Sequence, residues 1–294
     1  MKTIDTLVTD IYNLMDPDTF VNHDKVLGLE YATAVSAHFK NTLTREATLR
    51  EKGKLWASDI GKKCLRQHWY NFNLPESGAP LGGPTRFKFL YGNLLEEAVL
   101  YLAKEAGHLV THEQERVELD LENGWVVSGK LDAVIDGVLI DVKSTSSYGY
   151  KRYCDGITPS NDSFGYIEQL SFYSAFGPTA QPVPGFVWID KQNGHIKYTP
   201  VDALKRESIE GKAKAIASAI DKTEAGMVSK AYVPVAYGGS GNESLPITCS
   251  YCPFNKTCWS DANGGVGLRT FLYSQGPVHF TTITREPKTQ EITQ

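Results

Sequence analysis

The stretch Gly129-Lys-Leu-Asp132-Ala-Val-Ile-Asp136-Gly137-Val-Leu-Ile-Asp141-Val-Lys143 decides how this chain folds. Asp-Gly between two apolar runs is a strong hairpin signal, because both central residues of a tight two-residue turn take positive φ. Pairing outward from that turn sets 135 against 138, 134 against 139, 133 against 140 and 132 against 141, so Asp132 and Asp141 face each other. Directly opposed side chains have Cβ atoms roughly 4.5–5.5 Å apart, and like charges there destabilise a sheet unless something compensates. A divalent cation is the obvious compensator, and carboxylates suit Mg²⁺ or Mn²⁺. Lys143 lies two residues past Asp141 and shares its face. The competing reading is a solvated face on which two acids and a lysine pair casually. The nearly continuous apolar run around them argues instead for a sheet covered on both sides, where acids need partners.

Outward from the hairpin, residues 109–143 read as a three-strand antiparallel meander with turns at Glu122-Asn123-Gly124 and Asp136-Gly137. Before it, Phe87, Leu90, Leu94, Leu95, Ala98 and Leu102 carry helical spacing that ends at Gly107. After it come a helix over 164–176, a buried strand over 183–190, a short partner over 195–201 and a long polar helix over 202–224. The order is α-β-β-β-α-β, an α/β core. Upstream, Ile4, Leu7, Val8, Ile11 and Leu14 predict a helix closed by Asp16-Pro17, and a second helix covers 24–38. Ser58 is a good N-cap for a helix through Cys64 to Tyr70. The boundaries drawn are an N-terminal helical region over 1–83, a core over 84–201, a helix and cysteine cluster over 202–274 and a polar tail over 275–294.

The 294 residues are 41% hydrophobic, which excludes a disordered chain. Thirty Lys and Arg against 34 Asp and Glu leave a net charge of −4, so no overall positive field draws the protein to nucleic acid. Any such surface is local. The stretch from Lys40 to Arg66 supplies one candidate, with Lys40, Arg45, Arg50, Lys52, Lys54, Lys62, Lys63 and Arg66 against Glu46, Glu51 and Asp59. No run approaches the roughly 18 apolar residues of a membrane span, and the expectation is a cytosolic protein.

Gly-Lys-Leu-Asp132 followed by Ile-Asp141-Val-Lys143 resembles the PD-(D/E)XK nuclease superfamily, and Gln169-Leu-Ser-Phe-Tyr173 resembles the Q-x-x-x-Y motif of its RecB-like branch. Gln169 and Tyr173 are one helical turn apart and address the same ligand. That branch usually places a His four residues after a Gly on the preceding helix. Gly92-Asn-Leu-Leu-Glu96-Glu97 departs by placing Glu96 there, with Glu97 as the alternative. Three cysteines, Cys249, Cys252 and Cys258, follow the spacing C-x2-C-x5-C, one soft ligand short of the four that zinc or an iron-sulfur cluster takes. Cys64, in Ser-Asp-Ile-Gly-Lys-Lys-Cys64-Leu-Arg, resembles the upstream cysteine of the iron-sulfur staple in AddB-like and CRISPR-adaptation nucleases. Spacing leaves zinc open; the resemblance implies a 4Fe-4S cluster. Cys154 remains a lone thiol.

The resemblance implies a restriction-endonuclease-like core and a Mg²⁺- or Mn²⁺-dependent DNA exonuclease, a stand-alone enzyme of the phage type. Asp132, Asp141 and Glu96, with the Val142 carbonyl, would hold the metal. Lys143 would orient the attacking water, while Gln169 and Tyr173 would position the DNA. Implied partners are DNA and recombination, repair or replication proteins, in the cytoplasm of a bacterium or phage-infected host. No G-x-x-x-x-G-K-[ST] motor motif is present. Two alternatives share the same residues: a CRISPR-adaptation nuclease trimming DNA before integration, and a DNA-binding or assembly module with a vestigial centre.

Overall fold

The computed structural model describes residues 2–19, 23–44, 50–178 and 183–292. In chain order its elements are α1 (Leu7–Leu14), α2 (Lys25–Thr44), β1 (Lys54–Trp56), α3 (Ala57–Ile60), α4 (Leu65–Asn73), α5 (Gly83–Glu105), β2 (Val110–Thr111), β3 (Arg116–Asp120) and β4 (Val126–Lys130). There follow β5 (Ala133–Ile135), β6 (Val138–Thr145), α6 (Ser147–Tyr153), α7 (Tyr166–Phe176), β7 (Gly185–Asp190), β8 (Ile196–Pro200) and α8 (Arg206–Ile220). The last are β9 (Val235–Tyr237), β10 (Asn242–Ser244), α9 (Ile247–Ser250), α10 (Asn255–Cys258), β11 (Arg269–Tyr273) and β12 (Gly276–Thr282). The chain divides into two units that interleave along the sequence: Met1–Thr48, Gly53–Gly61 and Gly82–Lys214 form one, and Leu49–Lys52, Lys62–Leu81 and Ala215–Gln294 the other.

The first unit is mixed α/β. Its main sheet has the order β2-β5-β6-β7-β8, with β6 and β7 parallel and the other neighbours antiparallel. A parallel pair needs a crossover, and α6 and α7 supply it. Val138, Ile140 and Val142 of β6, with Val187 and Ile189 of β7, pack against Leu7 and Ile11 of α1 and Val99, Leu100 and Ala103 of α5. Full burial of each such aliphatic side chain contributes about 1.5–3 kcal/mol. Asp141 and Lys143 alternate onto the other face, in register with the fully buried Phe186 and Trp188. There Tyr153 stacks on Trp188 at 5.3 Å.

Several sequence expectations need correction. The meander over 109–143 is not one sheet, because β3 pairs with β4, and β4 with β1, in a separate three-stranded sheet. The chain changes sheets at Leu131-Asp132: the Leu131 N–H still donates to Glu115, but Asp132 begins a new direction and its carbonyl accepts from Gln114. The helix expected from Ser58 to Tyr70 is broken into α3 and α4. Gly61 ends α3 because its backbone lies against Gly165, where a Cβ on Gly61 would come within 2.1 Å of the Gly165 carbonyl oxygen. Gly165 takes φ +76°, so neither position accepts a side chain. Phe87, expected on the buried face of α5, is 68% exposed; Leu90, Val99, Leu100 and Ala103 carry the burial instead.

The second unit holds the antiparallel sheet β11-β12-β10-β9 and the short helices α4, α9 and α10. The expected polar tail contributes β12, and Glu291 bridges to Phe271. Trp69, Tyr70 and Phe254 form a small aromatic core beside Cys252 and Cys258. The indole N–H of Trp69 donates to the Lys222 carbonyl at 2.8 Å. Among the described residues no helix is long and apolar enough to cross a membrane.

Candidate functional site

The hairpin takes the register its turn dictates, with 135 opposite 138, 134 opposite 139 and 133 opposite 140. Asp136 and Gly137 have φ of 50° and 83°, the positive values a two-residue turn requires. The Asp136 carboxylate also holds the turn in place, accepting from the Leu109 N–H at 3.0 Å and lying 2.6 Å from Nδ1 of buried His108.

The ladder stops at 133–140, so Asp132 and Asp141 are not a paired rung. Asp132 instead turns its carboxylate onto the opposite backbone, where Oδ2 accepts from the Val142 N–H at 2.7 Å. Val142 thus meets the site through its amide. Asp141 is 1% exposed. Lys143 Nζ donates to its Oδ1 at 2.9 Å and stands 2.7 Å from Oδ2. The same ammonium lies 5.3 Å from the centre of the Tyr166 ring, where the electron-rich face adds attraction.

Glu96 approaches from α5. One turn earlier Gly92 faces β6, and a Cβ there would be 3.5 Å from Ser144 Oγ. Gln114 Nε2 donates to Glu96 Oε1 at 2.8 Å. Adjacent Glu97 turns toward α2, its Oε1 3.0 Å from Nε2 of His38. The two glutamates diverge as neighbours on a helix must, by about 100°.

The charges at this spot interact strongly. Burial lifts Asp132 well above the ordinary carboxylate range, and the Glu96 and Asp141 charges add to it. Burial likewise pushes Glu96 up to about 7; Asp141 and Glu97 raise it further while Lys143 opposes. Burial alone would depress Lys143, but Asp141 and Asp132 outweigh it and hold the ammonium above the usual lysine value. Three carboxyls therefore share one ammonium.

Gln169 and Tyr173 project from α7 alongside. Burial raises the Tyr173 phenol, its hydrogen bond with Gln169 works the other way, and the Asp141 and Asp132 charges raise it again. At neutral pH the phenol keeps its proton. A Cβ on Gly129 would sit 2.6 Å from Tyr173 Oη and 2.6 Å from the Ala57 Cβ, so the glycine lets β4, α3 and α7 close together. Asp162 steadies the start of α7, its carboxylate accepting from the N–H groups of Gly165 at 2.8 Å and Ile167 at 2.9 Å. Beside Gln169 and Tyr173 opens a cleft of about 360 Å³, also lined by Lys54, Arg116, Ser128 and Lys130.

Of these cleft residues only Lys54 belongs to the basic stretch singled out in the sequence. That stretch is divided between the two units; Arg45 and Glu46 lie outside the described residues. Arg50 lies over the Phe72 ring. Arg116, Lys130, Gly129 and Gln114 were missed. Gly129 and Lys130 stand inside the decisive motif and could have been found there, whereas nothing around Arg116 marks it.

In the second unit Cys64 precedes α4, Cys249 lies in α9, Cys252 follows it and Cys258 ends α10, and all four line one small, largely apolar cavity. None is in a disulfide. Burial pushes Cys249 up to about 11 and Cys252 up to about 12, and in both cases the other cysteines add. Hydrogen bonds oppose this from the Trp259 side chain to Cys249, the Phe254 backbone to Cys252 and the Arg66 side chain to Cys258. Arg66 also donates to the Val228 carbonyl at 3.2 Å, while its buried Nε finds no acceptor. Cys154 is buried in the first unit and does not line this cavity. Among the described residues no group of three or more His, Cys, Asp or Glu side chains is arranged to hold a single metal ion as it stands.

No protein-family model matches the sequence, and no curated protein matches it. Among solved structures, the crystal structure of SSO0001 is similar to this chain, with a TM-score of 0.46 and 14% sequence identity over 76% of this chain and 92% of that one.

Proposed function

We propose that the chain is a metal-dependent DNA nuclease of the PD-(D/E)XK type, acting at DNA ends or on single strands. The observation that carries this reading is the meeting of Glu96, Asp132, Asp141 and Lys143 at one buried place, with Gln169 and Tyr173 beside it. The donor set fits a hard divalent cation, since the carboxyls of Glu96 and Asp132 are pushed up by burial and by neighbouring carboxylates, and the Lys143 ammonium opposes this in both. Glu96, Asp132 and Asp141, with the Val142 carbonyl, would hold Mg²⁺ or Mn²⁺. When bound, the ion supplies Lewis-acid polarisation of a phosphoryl oxygen and an acidified water. Lys143 stays protonated and acts as a fixed positive donor toward charge developing on the phosphate, not as a base. Gln169 and Tyr173 offer an amide and a phenol to the DNA backbone and set its position.

The cysteine cavity fits a thiolate-bound group. Burial and the neighbouring cysteines push the half-buried Cys249, Cys252 and Cys258 thiols up, and a hydrogen bond to each works the other way. We assign a 4Fe-4S cluster held by Cys64, Cys249, Cys252 and Cys258, with zinc as the alternative that metal analysis separates.

The test is cleavage of end-labelled single- and double-stranded DNA in Mg²⁺, Mn²⁺ or EDTA, with Asp141→Asn as control. Metal-dependent shortening that disappears in Asp141→Asn is expected. No cleavage by intact wild-type protein with either ion overturns the assignment.

A further inference from the structure

The cleft beside the carboxylates has an unbalanced charge. Lys54, Arg116 and Lys130 line it, and no Asp or Glu does. Lys54 and Lys130 are exposed, and their ammonium groups make no hydrogen bond or ion pair among the described residues. Arg116 donates to Ser128 Oγ at 2.7 Å, and the carboxylate beside it, Glu118, is 4.0 Å away and accepts from the same serine at 3.1 Å. Arg116 is moreover the direct cross-strand partner of Lys130. Like charges at such a rung destabilise a sheet, so β3 and β4 carry an electrostatic cost in a protein whose net charge is −4. A bound polyanion offsets that cost.

The neutral groups in the cleft suit the same ligand. Gln169 and Tyr173 bring an amide and a hydroxyl, groups that contact phosphate oxygens and sugars. Position also connects the cleft to the chemistry: Lys130 is two residues from Asp132, and the Tyr173 phenol feels the Asp132 and Asp141 charges. A volume of about 360 Å³ lies at the small end of the roughly 300–1,000 Å³ of small-molecule pockets. It has room for a nucleotide-sized group.

We propose that this cleft binds one DNA strand by its phosphodiester backbone, with Lys54, Arg116 and Lys130 neutralising successive phosphates next to the carboxylate centre. The inference rests on the nuclease reading and narrows its substrate to an unpaired strand.

The experiment is fluorescence anisotropy of the full chain with a fluorescein-labelled oligothymidylate, alone and annealed to its complement, in EDTA over a salt series. Lys54→Gln and Lys130→Gln should each weaken single-strand binding on the order of tenfold. Each should also flatten the slope of log affinity against log salt by about 0.7. Lys54→Arg and Lys130→Arg should restore both. Unchanged affinity and slope in a Lys54→Gln/Lys130→Gln protein that melts like wild type overturns the subsite, as does tighter binding of the duplex. The two readings fail separately. Lysine-dependent strand binding without metal-dependent cleavage sinks the nuclease and keeps the subsite, whereas cleavage with unaltered binding in the lysine variants does the reverse.

Discussion

Replacing Lys143 by Met removes the ammonium that faces Asp141 at 2.7–2.9 Å. The carboxylate is 1% exposed and cannot recover by hydration. Removing one partner of a buried pair typically costs about 3–5 kcal/mol, mostly the penalty of the stranded charge. Because the Lys143 side chain keeps 19% exposure, the loss should fall near the lower end, about 3 kcal/mol. Lys143→Met/Asp141→Asn leaves no stranded ion and should recover most of that loss, a coupling well above the about 0.5 kcal/mol scatter of independent sites. Urea denaturation at neutral pH in EDTA, followed by circular dichroism, measures all four corners of the cycle. Repeating it in Mg²⁺ should stabilise wild type and Lys143→Met more than the two proteins that lack the Asp141 carboxylate, since an ion at 100 times its Kd adds about 2.7 kcal/mol. All substituted proteins should lose cleavage. If Lys143→Met lies within about 1 kcal/mol of wild type, or if the two substitutions simply add, the buried, coupled pair is refuted.

Glu96 holds its proton up to about pH 7 in the fold, against an ordinary value of 4.5. The native state therefore binds more protons than the unfolded chain between these values, and stability falls as pH rises through them. In EDTA, Glu96→Gln should gain on wild type across that window and Glu97→Gln should not; parallel stability curves for wild type and Glu96→Gln would contradict the assignment. Gly129→Ala places a Cβ 2.6 Å from both Tyr173 Oη and Ala57, which should cost about 1–3 kcal/mol in thermal or urea unfolding and lower the cleavage rate. Anaerobically purified protein should be brown and contain about four irons per chain. Cys64→Ser should lose the iron and Cys154→Ser should keep it; stoichiometric zinc in its place would replace the cluster, and iron retained in Cys64→Ser would remove Cys64 from the ligand set.

Local chemistry made the hairpin legible. Asp136-Gly137 fixes a two-residue turn, the turn fixes the register, and the register puts Asp141 and Lys143 on one face. The strands over 183–190 and 195–201 were equally readable, appearing as Gly185–Asp190 and Ile196–Pro200. What the sequence could not reveal depends on distant partners. That β3 and β4 leave the main sheet follows from β1 pairing with β4, across some 70 residues of chain. The break after α3 comes from Gly165, about a hundred residues downstream of Gly61. Phe87 carries the right spacing for a buried face, yet spacing alone does not tell how far along α5 the sheet extends. At the site, Asp132 was readable as a carboxylate near Asp141, but not its bond to the Val142 amide, which needs the strand to bend away one residue early.

The interleaving of the two units sets a schedule for biosynthesis. The first unit cannot close until Lys214 has been made. Cys64 emerges early but waits for Cys249, Cys252 and Cys258, some 185 residues later. At a synthesis rate of about 5–20 residues per second that delay is roughly 10–40 s, long compared with the sub-millisecond times of hydrophobic collapse. During it, the thiol is held by nothing from its final surroundings except the short segment around α4. The cysteine cavity therefore assembles only after Cys258 has been made, and a chain stalled or truncated before Cys249 would leave Cys64 open to oxidation and mispairing.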